Sequence, residues 1–322
     1  MRRPIAAGYV SAWTSIVGAL AGTLRALGAE HAPAEVAVLS GHAFRFALTA
    51  APEGRIGAGG PNAFAAGSAT ALYEGLGWRF SAFEAAADDA AYAANRAEAL
   101  RLLRRSLDHG RSAIAFGLHL PQFGIVRGAL GEDLIAGTAV SSQYGERLPA
   151  AQWPAPGRPL PIRVFLPERR VKVDPRAALA HALRFAVAYA GQGEAGAVVA
   201  EEPVEAAGLA AYRRWLAILE SDAPIAAHGQ AYCIQALQEA RAQASTYLAG
   251  VASRSPEANA LAAAVAAYQR ERVALSQLAT LFPYPNGGAA AAPGIRRAAA
   301  GSVRRALAAE EEAIAALDAA TT

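Results

Sequence analysis

Side chains able to do acid–base or nucleophilic chemistry are few in this chain, and they are scattered. Histidine occurs singly at His31, His42, His109, His119, His181 and His228, and no Cys/His cluster has metal-ligand spacing. Cys233 is the one cysteine, so an internal disulfide, structural zinc and iron–sulfur centres are excluded. It lies inside a helical pattern, with no cap position or neighbouring feature to lower its pKa, and so reads as a buried, inert thiol. No nucleophile elbow, Walker lysine, His-Glu-x-x-His or glycine fingerprint in strand–helix context is present. Gly57-Ala58-Gly59-Gly60 lacks both that context and a following lysine, so it is plain turn chemistry. No metal or cofactor is expected.

Whatever site exists must be positioned by a largely helical frame. The 322 residues allow one large domain or two smaller ones with a sizeable core. Alanine inflates the 54% hydrophobic content, and the 7% aromatic content argues against an all-β fold. Basic residues are arginines except Lys172, and the net charge is +3, so a nucleic-acid partner is not expected. A single cysteine suits a reducing compartment, and the expected location is the cytoplasm. Arg2 and Arg3 precede an uncharged run from Pro4 to Leu24 that imitates a signal peptide or membrane span. Pro4, Gly8, Gly18, Gly22 and four hydroxyl residues lower its hydropathy, so a buried helix is expected and no membrane association.

Helical spacing of Ile16, Val17, Leu20, Leu24 and Leu27 predicts a helix over 12–28, with Ser11 or Thr14 available as cap. A short helix over 33–40, a strand over 41–48 and helices over 69–77 and 85–110 follow. Strands are expected at 112–119, 123–130 and 134–140, with a hairpin turn at 131–133. After a proline-rich loop over 149–161, edge strands are predicted at 162–166 and 171–173, separated by a turn at Pro167-Glu168. From Pro175 the pattern is helical throughout, over 175–190, 207–221, 229–251, 256–281 and 294–319. The fold class is therefore α+β, with a mixed domain at 1–173 and a helical domain at 174–322.

Three strings stand in a suggestive order: Ser11-Ala12-Trp13-Thr14-Ser15-Ile16-Val17-Gly18-Ala19-Leu20, then Leu39-Ser40-Gly41-His42-Ala43-Phe44-Arg45-Phe46, then Leu118-His119-Leu120-Pro121-Gln122-Phe123-Gly124-Ile125. Further matches run through Leu209–Trp215 and His228–Tyr232. Together the strings resemble the cysteine-peptidase-like proteins related to the N-terminal domain of butirosin biosynthesis protein H. They resemble more distantly the cysteine peptidases that cut double-glycine leader peptides. The resemblance implies a papain-like fold with a C-terminal helical bundle, in which a thiolate at a helix N-terminus is activated by a histidine from the sheet.

The motif positions depart from that pattern. Trp13 and Thr14 stand where the resemblance places the nucleophilic cysteine, and Gln122 occupies the general-base slot, where glutamine cannot exchange a proton near neutral pH. The third position falls at 138–141, which holds no carboxylate. The expectation is an inactive cysteine-peptidase-like protein that binds or scaffolds a small molecule, peptide or carrier protein. The alternative is an acyltransferase or amide hydrolase with Thr14 or Ser15 as hydroxyl nucleophile and His119 as base.

Overall fold

The computed structural model describes residues 4–154, 160–194 and 196–321. In chain order the first half contains α1 (Ser15–Ala26), α2 (Pro33–Leu39), β1 (Ala47–Ala51), β2 (Gly54–Arg55), α3 (Ala66–Tyr73), β3 (Trp78–Ala85) and α4 (Tyr92–Asp108). Then come β4 (Ala113–Phe116), β5 (Phe123–Leu130), β6 (Asp133–Gly137), α5 (Ser141–Tyr144), β7 (Arg147–Pro149) and β8 (Ile162–Arg170). The chain continues through α6 (Pro175–Gln192), β9 (Val204–Ala207), α7 (Leu209–Leu219), α8 (Ala227–Ala252), α9 (Ala258–Leu281) and α10 (Pro293–Ala319). The fold is mixed α and β, with two antiparallel sheets and a C-terminal helical region.

The larger sheet has the order β3-β8-β4-β5-β6-β7. Strand alternation sorts its side chains onto two faces. Ile114, Phe116, Phe123, Ile125 and Phe165 join the core built on α1, while Ala113, Ala115, Val126 and Val164 join the core under α4. α1 is buried along nearly its whole length, and its glycines make that possible. A Cβ on Gly18 would sit 2.1 Å from the Val10 carbonyl, and one on Gly22 2.0 Å from that of Gly8. The segment before α1 therefore lies directly across the helix, and Ile5 N–H donates to Arg127 O in β5. No helix among the described residues is long and apolar enough to cross a membrane.

Several elements differ from expectation. The segment 41–44 turns instead of extending, so β1 begins only at Ala47. The strand expected over 112–119 stops at Phe116, and a loop over 117–122 leads into β5. β3 and β9 carried no recognised signal. β8 is a single inner strand running through Pro167, which sits at a register shift against β3; the proline displaces the ladder without ending it. Residues 171–173 are not a strand. Arg2 and Arg3, and residues 155–159 of the proline-rich loop, lie outside the described residues.

Packing also crosses the 173/174 division. β9 pairs with β1 to complete the small sheet β2-β1-β9. One core includes Leu20 and Phe64 together with Leu183, Leu248, Tyr268 and Leu317. Deep between α8, α9 and α10, the fully buried Arg241 guanidinium faces Glu271 at 3.1 Å and Glu310 at 3.0 Å and donates to the Ala43 carbonyl. This ties the helical region to the turn before β1.

Candidate functional site

The N-terminus of α1 lies against the start of β5. Ser15, the first residue of the helix, is 1% exposed. Its hydroxyl accepts the Phe123 N–H at 3.0 Å and donates to Asn62 Oδ1 at 3.1 Å. Asn62 is held in turn: its carbonyl, and that of Phe64, accept from the Arg163 guanidinium, which lies 4.3 Å over the Phe64 ring. Arg163 is buried on β8 and paired with Glu84 at 2.6 Å. A chain of buried contacts from the sheet thus fixes the Ser15 hydroxyl in both its donor and acceptor roles.

Thr14 is the N-cap residue of α1, with extended φ/ψ of −82° and 97°, but its side chain makes no capping bond. The cap comes instead from α8. Glu239 Oε2 accepts the Trp13 N–H at 2.8 Å, and the Thr14 amide also bonds to this carboxylate. Burial raises the Glu239 pKa, and these two amide bonds pull the other way. Tyr232, also on α8, donates its hydroxyl to the Trp13 carbonyl at 2.8 Å. The Trp13 ring packs edge-on against Tyr284 at 5.0 Å. Both residues at the expected nucleophile position are therefore engaged by the helical region, and a resident carboxylate faces the positive end of the α1 dipole.

Gln122 immediately precedes Phe123, the residue that bonds Ser15, so the structure brings the Gln122 backbone beside the α1 N-terminus. Its backbone is held by Gly117 and Leu120. His119 belongs to a different set of contacts. Its ring stacks on Tyr144 of α5, with centroids 5.7 Å apart, and bonds the Gly145 backbone. Burial lowers its pKa. Among the described residues, His119 makes no hydrogen bond to Thr14 or Ser15. At 138–141, Ser141 Oγ accepts the Thr138 N–H at 2.8 Å, closing a turn.

Sequence reasoning missed His42, Asn62, Arg163 and Glu239 as members of this region. His42 is 3% exposed, bonded through Nε2 to the Tyr73 hydroxyl at 3.1 Å and edge-on to Phe64 at 4.7 Å. With Thr14, Arg45, Pro61, Cys233 and Ala236 it lines a cavity of about 20 Å³ between α1 and α8. Cys233 donates its S–H to the Gly57 carbonyl at 3.3 Å, and burial, with Glu202 nearby, pushes its thiol pKa up. That is the opposite of nucleophile activation. The short Gly-His-Ala-Phe string is the only one of these features with a local signature.

No known family model matches the chain, and no curated protein sequence matches it.

Proposed function

We propose that the chain is a papain-like protein, of the kind related to the N-terminal domain of butirosin biosynthesis protein H, that no longer catalyses and acts as a binding or scaffold protein. The three ordered strings in the sequence suggest that kinship. The α1 helix packed against an antiparallel sheet, with its N-terminus beside the start of β5, is compatible with it. The observation that carries the non-catalytic reading is the state of that N-terminus. Glu239 holds the Trp13 and Thr14 amides, while Phe123 and Asn62 hold the Ser15 hydroxyl. An attacking alcohol needs a base aligned on its proton, and the proton of Ser15 is directed to a side-chain amide oxygen, which is not a base. The ligand classes that follow from the resemblance are a small molecule, a peptide or a carrier protein.

The test is turnover of a panel of acyl esters and acyl-carrier thioesters by the parent and by Thr14→Ala and Ser15→Ala. The reading expects parent rates equal to the buffer blank. Acyl transfer or hydrolysis by the parent that disappears in either variant would overturn it in favour of a hydroxyl-nucleophile enzyme.

A further inference from the structure

His42 presents a buried polar atom that the contacts described so far leave unexplained. Its Nδ1 has no hydrogen-bond partner among the described residues, although the ring is almost fully buried. The neighbouring Tyr73 hydroxyl fixes which ring nitrogen carries the proton. Tyr73 is 0% exposed, and its hydroxyl bonds His42 Nε2. Burial keeps the phenol protonated. His42 Nε2 is the one hydrogen-bond partner of that buried hydroxyl among the described residues, so the phenol proton has no other acceptor and goes to Nε2. The imidazole is held neutral by burial and by the positive charges of Arg45 and Arg163, so its one proton sits on Nδ1. Nδ1–H is then a buried donor in need of an acceptor.

The cavity beside the ring supplies the place for one. About 20 Å³ is enough for a water, which requires on the order of 10–15 Å³ measured this way and at least two polar partners. Every lining residue except Pro61 is buried. The other polar groups on its wall are accounted for: Arg45 is engaged by Glu194, the Ser40 carbonyl and Ser68, and the Cys233 S–H by Gly57. Thr14, whose hydroxyl makes no capping bond, is the second available partner. We propose that this cavity is a binding site for one water molecule, which accepts from His42 Nδ1–H and donates to Thr14 Oγ1, linking the α1 N-cap to the 41–44 turn. The proposal does not depend on the papain-like reading.

The experiment uses the full chain with ¹⁵N-labelled histidine. His42 is assigned through cross-relaxation with the Tyr73 and Phe64 rings, and long-range ¹H–¹⁵N spectra read its tautomer. The expected result is the Nδ1–H form at neutral pH, with an Hδ1 cross-peak at the water frequency that is lost in Thr14→Val. An Nε2–H tautomer, a missing water cross-peak in the parent, or a cross-peak unchanged in a folded Thr14→Val protein would each overturn the proposal. If Thr14→Val does not fold, the parent spectra decide alone.

Discussion

Ser15→Ala separates a structural hydroxyl from a catalytic one. Ser15 Oγ is the acceptor for the buried Phe123 N–H at 3.0 Å and the donor to Asn62 Oδ1 at 3.1 Å, and alanine removes both bonds without changing the helix propensity for the worse. The Phe123 amide starts β5 and is buried, with the residue 1% exposed. Leaving such a donor unsatisfied costs about 1–3 kcal/mol, and the lost Asn62 bond adds about 1 kcal/mol, for a sum of about 2–4 kcal/mol. Thr14→Ala provides the contrast. Its side chain makes no capping bond, so the usual N-cap loss does not apply, and the change, which loses only the contact to the proposed cavity water, should cost about 1 kcal/mol. Urea titrations followed by circular dichroism would give both values at constant m, and the Ser15→Ala midpoint should fall well below that of Thr14→Ala. A Ser15→Ala protein within about 0.5 kcal/mol of the parent, a change typical of uncoupled surface sites, would refute the claim that this hydroxyl is a structural link.

Three further outcomes follow from the same contacts. Glu239→Ala should cost about 1–2 kcal/mol by uncapping Trp13 and Thr14, whereas Glu239→Gln, which keeps an acceptor oxygen and sheds a half-buried charge, should stay within about 1 kcal/mol in the same titrations. Burial and then the Glu271 charge raise the Glu310 pKa well above the carboxylate range, against the pull of Arg241, so the folded state keeps a proton that the unfolded chain releases. That contribution is fully present below the unfolded pKa and is lost as pH rises through the folded one. Stability measured at increasing pH above about 4.5 should therefore fall more steeply in the parent than in Glu310→Gln. His42 has the opposite sign: its folded pKa lies far below the unfolded value, so stability should drop as pH falls below about 6.5, and His42→Gln should flatten that limb of the profile.

The long C-terminal helices were legible because their signals are local. Asp174 caps α6 through the Arg176 and Ala177 amides just before Pro175, and Pro293 opens α10. The β5–β6 hairpin was legible from the turn at 131–133, and β4 from alternation, since Ile114 and Phe116 face one core and Ala113 and Ala115 the other. β9 was not, because Val204–Ala207 is a four-residue strand whose partner β1 lies about 150 residues earlier, and nothing local marks that pairing. Pro167 read as a turn because a ladder hydrogen bond is impossible there, yet a register shift accommodates it. At the candidate site, Thr14 was one of two cap candidates; it stands at the N-cap without a side-chain capping bond, and the carboxylate that holds this end comes from Glu239, 226 positions beyond Trp13. Asn62 and Phe123 reach Ser15 across 47 and 108 positions. Contacts at such separations depend on the tertiary fold and leave no spacing pattern to read.

The central claim is that the α1 N-terminus serves structure and not catalysis. Incubation of the parent with an activated acyl thioester, followed by peptide mapping in a mass spectrometer, tests it most directly. The account predicts unmodified peptides carrying Thr14 and Ser15 under conditions where exposed nucleophiles elsewhere acylate. An acyl adduct on either residue, forming faster than that background, would contradict it.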